Sequence, residues 1–237
     1  MCTSTSSVDP MTISFQRLGF APDYVDYQEA WDLQRSIHDD VAAGARGPEV
    51  LLLEHAAVYT AGKRTEPQDL PIDGTPVVDV DRGGKITWHG PGQLVGYPIV
   101  ELANHAGIRD YVHRLEEMLI NVVAGFGIDA QRVDGRAGVW VLGTDGGQDR
   151  KIAAIGIRVD HGVTMHGFAL NCDNDDAAFS RIIPCGIADA STTSITEESG
   201  RPVRPVDVLD RVQEELTRLL EPAIKNNPSN ADEGALL

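Results

Sequence analysis

Apolar positions recur along the chain with two different periods. Ala30, Leu33, Ile37 and Val41 fall at helical spacing with Trp31 widening the face, so a helix is predicted over Tyr24–Ala43, capped by Asp23 and ended by Gly44. A second is predicted over Ile108–Phe126 (Val112, Leu115, Leu119, Val122, Val123) with Gly127 at its end, and a third over Pro205–Glu221 (Val206, Leu209, Val212, Leu216). Between them run short segments rich in β-branched and apolar residues. These predict strands at Thr12–Leu18, Glu49–Glu54, Val77–Val80, Leu94–Val100, Ile128–Val133, Gly138–Leu142, Ile152–Val159, Val163–Leu170 and Phe179–Ile183. The turn Asp160-His161-Gly162 marks 152–170 as a hairpin, and residues 143–149 are a looser hairpin loop. Gly and Pro density makes 61–76 and 81–93 loops. One α+β domain over residues 11–222, with a mostly antiparallel sheet, is expected between disordered termini at 1–10 and 223–237.

Composition narrows the classes. A length of 237 residues suffices for a core without disulfides or metals. The net charge of −16 argues against a nucleic-acid or anionic-membrane binder. No apolar run reaches the length of a membrane span, and the first residues lack the pattern of a signal peptide, so a cytoplasmic protein is expected. Three cysteines (Cys2, Cys172 and Cys185) show no disulfide-like spacing. His161, His166 and Cys172 match no common zinc pattern, so no metal is expected.

Two stretches carry candidate chemistry. The loop DRGGKITWHGPGQ at 81–93 exposes backbone and offers Arg82, Lys85 and His89 to an anion or a polarised carbonyl; it also reads as a plain pair of turns. It matches neither a Walker A nor a Rossmann pattern. The second stretch, 150–187, places Lys151 at the start of the apolar strand KIAAIGI and Cys185 in a Pro-Cys-Gly turn. A thiolate is a nucleophile, and desolvation would favour a neutral lysine able to act as its base. His89 and His166 are rival bases. Lys151 is equally a strand-start lysine with its head in water, and Cys185 a small apolar turn residue. Cys172 is the poorer thiol, since Asp173, Asp175 and Asp176 follow it and would hold it protonated. His55, His105 and His113 read as ordinary surface or half-buried histidines.

Four motifs, RGGKITWHGPGQLVGYP at 82–98, KIAAIGIR at 151–158, HGFALN at 166–171 and PCGI at 184–187, resemble the lipoyl(octanoyl) transferase family over most of the chain, from about Leu51 to Ile195. The resemblance implies the fold of biotin and lipoate protein ligases, a mixed and mostly antiparallel sheet flanked by helices. It implies transfer of an octanoyl group from octanoyl-acyl carrier protein to a lysine of apo lipoyl domains, those of 2-oxoacid dehydrogenase complexes and of the glycine cleavage H protein. The cofactor expectation is none, phosphopantetheine being carried by the donor. Cys185 would form the acyl thioester and Lys151 would be its base. Arg82, Gly83, Gly84, Lys85, Ile86, Thr87, Trp88 and His89 would form one wall of the acyl site. Ala154, Ile155 and Gly156 with Gly167, Phe168 and Ala169 would form the others, and His166 would support them. Lys85 stands where many relatives have glutamine, and 143–149 looks like a local insertion. An ATP-dependent lipoate or biotin ligase on the same scaffold is the nearest rival; a non-catalytic module that carries acyl groups or docks lipoyl domains is the other.

Overall fold

The computed structural model describes residues 12–71, 75–103, 107–144, 146–182 and 190–224. Cys185, with Cys2 and His105, lies outside them.

One large sheet organises the chain. Its strands are β1 (Ser14–Arg17), β2 (Glu49–Leu53), β6 (Gln93–Ile99), β7 (Gln131–Val133), β8 (Arg136–Val141), β9 (Asp149–Asp160), β10 (Val163–Asn171) and β11 (Ala190–Thr192). They run in the order β1-β2-β6-β10-β9-β8-β7, with β11 added beside β9. The pairs are antiparallel except β1 with β2 and β11 with β9. A three-stranded sheet, β4-β3-β5, is built from β3 (Val58–Ala61), β4 (Val77–Asp79) and β5 (Thr87–His89). It carries the glycine loop between β4 and β5.

Strand alternation sorts β6 between two cores. Val95, Tyr97 and Ile99 face α1 (Tyr27–Ala42) with Leu51, Leu53 and Ala169. Leu94 and Val100 belong to the larger core with α2 (Ile108–Ala124) and α4 (Pro205–Leu220). Helices therefore cover both faces, and β6, buried at every position, reads as a near-continuous apolar run. A short helix, α3 (Ile195–Ser199), follows β11. The β9–β10 hairpin closes through His161 and Gly162, both at positive φ (50° and 79°), the conformation a two-residue hairpin turn requires.

Four expectations change. The first helix starts at Tyr27, capped by Asp26 on Gln28 N and Glu29 N, not at Tyr24 with Asp23 as cap. Val25 exchanges backbone bonds with Glu54 and Ala56, and this bridge holds 24–26 extended. The segment around Phe179 is no strand: Asp175 caps Ala177 N at 2.9 Å and winds Asp176–Arg181 into a 3₁₀ helix, setting Phe179 edge-on to Trp88. The predicted loops hide β3's last residue, a 3₁₀ turn at Pro67–Asp69 and all of β5. The chain also packs past 222, since Ile224 bridges Leu102 and Ala103 N bonds Ala223 O at 2.9 Å.

Candidate active site

A cleft opens where the glycine loop lies across β9 and β10. Gly84, Lys85, Thr87 and His89 line it from the loop and β5, with Arg82 beneath. Ala154, Ile155, Gly156, His166, Gly167, Phe168 and Ala169 line it from the hairpin, and Tyr27 and Tyr97 close it. Alternation on β5 divides the expected wall. Ile86 and Trp88 point the other way, into a small core with Tyr59, Phe179 and Ile182. The cleft itself holds about 50 Å³, room for roughly one or two waters.

Arg82 shapes this loop from inside. It is buried, and its guanidinium donates to Gly83 O and Lys85 O (both 2.9 Å) and to Thr60 O and Oγ1 (both 2.8 Å). The planar fork spends its donors on holding the loop to β3, so an open cation for a substrate anion is not what the expected Arg82 supplies. Gly83 N donates to Ile157 O at 2.9 Å, tying the loop to the edge of β9. Lys85 turns outward to Glu66 and Asp69 (both 3.0 Å), and those carboxylates hold its ammonium above its ordinary range.

Close backbone approach fixes the glycines on the hairpin wall. Gly156 and Gly167 are cross-strand partners. A Cβ at Gly167 would sit 2.2 Å from Gly96 O, and one at Gly156 would sit 2.9 Å from Arg82 Cδ.

Buried histidines surround the cleft. His166, at φ 57°, meets Asp81 Oδ1 at 2.7 Å; burial lowers its pKa, while hydrogen bonding to His166 holds Asp81 far below the usual carboxylate range. His55 is fully buried rather than at the surface, bonded to Val25 O (2.9 Å) and Tyr97 Oη (2.7 Å), and burial lowers it to about 4. His113 is exposed. His89 stacks on Tyr27 and meets Gln93 Oε1 at 2.7 Å; burial lowers it to about 3.

Lys151 is buried too. Its Nζ donates to Ala137 O at 3.1 Å and lies 4.6 Å from the centroid of the Trp140 ring, its register partner on β8. It sits where β9 changes neighbours. Arg150 and Lys151 pair with β8 on one side, Asp149–Lys151 pair with β11 on the other, and from Ala153 onward β10 replaces β11. Cys172 is also buried, and burial more than its acidic neighbours pushes its thiol up, which makes it the poorer nucleophile.

Comparison with known proteins now places the chain. The family profile of the lipoyl protein ligase A/B catalytic domain matches residues 26–217. An octanoyltransferase of Paenarthrobacter aurescens is 60% identical over 221 residues, 93% of this chain and 99% of that protein. One from Pseudarthrobacter chlorophenolicus is 60% identical over 227 residues, 96% of this chain and all of the other. The chain belongs to the octanoyltransferases of the lipoyl protein ligase A/B family. The solved structure of the bipartite lipoate protein ligase and its E2 lipoyl domain from Thermoplasma acidophilum resembles it with TM-score 0.62 at 14% identity, over 89% of this chain and 84% of that one. That of P. falciparum LipL1 in complex with lipoate resembles it with TM-score 0.62 at 13% identity, over 89% and 62%. Both show the lipoate ligase fold. Among the described residues no helix is long and apolar enough to cross a membrane.

Sequence reasoning missed Gln93, Asn171, Thr193, Tyr27 and Tyr97 around this site. Gln93 ends the loop at 81–93 and Asn171 ends HGFALN, but only the pairing of β6 with β10 sets them opposite one another.

Proposed function

We propose that this octanoyltransferase takes its acyl group from octanoyl-acyl carrier protein, holds it as a thioester on Cys185 and passes it to a lysine of an apo lipoyl domain, with Lys151 as base. The observation that supports this most is the setting of Lys151, a buried amine at the strand switch of β9. The chain that contains Cys185 is anchored on both sides of it. Ile182 packs in the core beneath Trp88, and Thr192 is in register with Lys151 itself. Four residues separate Cys185 from Ala190, so the two lie at most roughly 18 Å apart.

In the first half-reaction Lys151 accepts the thiol proton, and the thiolate attacks the donor thioester. Backbone N–H groups stabilise the oxyanion. The C–S bond to phosphopantetheine breaks, and that thiolate leaves with the proton. This exchange of one thioester for another is nearly balanced. In the second, the acceptor amine attacks, a C–N bond forms, Cys185 leaves as thiolate and Lys151 takes the proton. Amide formation makes the cycle favourable without ATP. The alkyl chain lies between the glycine loop and β9–β10. The cleft holds about 50 Å³ as it stands and widens when the chain enters. Each buried methylene contributes about 0.8 kcal/mol, enough to favour octanoyl over much shorter groups.

Transfer from octanoyl-acyl carrier protein to an apo lipoyl domain, followed by the mass of the acceptor, tests this reading. The acceptor is expected to gain an octanoyl group without ATP. A strict ATP requirement, with free octanoate as the donor, would instead make the protein a ligase.

A further inference from the structure

A buried hydrogen-bond chain starts at a backbone carbonyl and ends in the cleft. Thr193 O accepts from Asn171 Nδ2 at 2.9 Å. A carbonyl can only accept, so the Asn171 amide is fixed with Oδ1 turned toward Gln93. Asn171 Oδ1 accepts from Gln93 Nε2 at 2.9 Å, which leaves Gln93 Oε1 toward His89 Nδ1 at 2.7 Å. An amide oxygen cannot donate, so His89 carries its proton on Nδ1, and Nε2 is left as a bare lone pair. Gln93, Asn171 and Thr193 are each at most 4% exposed, so water does not compete along the chain. Gln93 and Asn171 are direct partners on β6 and β10, and Thr193 N bonds Lys151 O at 3.0 Å. The relay thus joins the strand that holds Lys151 to the ring that borders the cleft.

We propose that Gln93 and Asn171 are positioning residues that lock His89 as its Nδ1–H tautomer, so that Nε2 accepts a hydrogen bond from the attacking amine of the acceptor lysine. This rests on the two-step transfer above. A lone pair at this point repels the oxyanion of either tetrahedral intermediate and attracts an N–H. Two N–H groups are present on a neutral amine before attack, and an acceptor for one of them aims the nitrogen lone pair at the acyl carbon. His89 is buried against Tyr27 and His55, a setting that keeps the imidazole neutral. It therefore orients the amine, and the proton released on C–N bond formation goes to Lys151.

The experiment measures the two half-reactions separately in wild type, Gln93→Leu and Gln93→Glu. Loading is the rate of octanoyl gain from octanoyl-acyl carrier protein, and delivery is the decay of the isolated acyl-enzyme on adding apo lipoyl domain. Gln93→Leu frees the tautomer and is expected to slow delivery roughly tenfold more than loading. Nitrogen-15 NMR of histidine-labelled protein should show His89 Nε2 unprotonated in wild type and partly protonated in Gln93→Leu. Gln93→Glu sets a carboxylate against Nδ1–H, which raises the basicity of the imidazole, so its delivery rate should gain a titration near neutrality on top of the steady rise with pH that the acceptor amine imposes on wild type. An Nε2–H tautomer in wild type would overturn the proposal. So would equal slowing of both halves, or slowing of loading alone, which would assign His89 to the thiol. Absence of any acyl-enzyme in wild type would instead count against the two-step transfer on which the proposal rests.

Discussion

Lys151→Met is expected to lower octanoyl transfer by about 10²–10⁴-fold, the usual span for loss of a general base. Methionine has nearly the length of lysine, and its thioether packs against an aromatic face, so the space beside Trp140 stays filled. The variant leaves Ala137 O without its side-chain donor, a cost of about 1–3 kcal/mol at most. Initial rates on protein whose near-ultraviolet circular dichroism matches wild type separate the two effects. Lys151→Arg should fare little better, because a guanidinium stays charged and cannot accept the thiol proton. An unchanged rate in Lys151→Met would move the base elsewhere, with His89 the first alternative.

Arg82→Met is expected to destabilise the fold by about 3–5 kcal/mol, read from the shift in the denaturant midpoint. Three backbone carbonyls, Thr60 O, Gly83 O and Lys85 O, lose their donor together, in a place that is buried. Arg82→Lys should recover only part of this. An ammonium is a single point on a flexible stem and cannot span carbonyls arranged for a planar fork. A midpoint within error of wild type would mean that the loop holds without Arg82. The pairing of β5 with β3 and the Gly83–Ile157 contact would then suffice to shape the cleft.

These two residues also show how far the sequence could be read. A lysine beginning an apolar strand is odd enough to find unaided, and it is indeed buried. Arg82 stood in a glycine loop beside Lys85 and His89, and the natural inference was a cation facing a ligand. Its actual role depends on Thr60 in β3, a four-residue strand just ahead of a stretch dominated by Gly and Pro. The helices α2 and α4 are legible because burial on one face dictates a strong period, and β10 because burial on both faces makes it a near-continuous apolar run behind a turn. Short β5 and β11 were not, because pairing partners distant in the chain supply their order. The first helix shows the same limit at its start: local caps favoured Asp23, but the Val25–His55 bridge moved the cap to Asp26. The Gln93–Asn171 relay lies beyond any local signal, since it spans 78 residues of sequence. Its members sit in two separate motifs, and only strand register gives them a joint role.

The central claim, an acyl group carried on Cys185, meets its most direct test in the intact mass of the protein after brief mixing with octanoyl-acyl carrier protein, followed by peptide mapping. One added octanoyl group is expected, on the peptide that contains Cys185 and labile to hydroxylamine as a thioester is. Full transfer activity with no added mass, or with the group on Lys151 or Cys172, would contradict it.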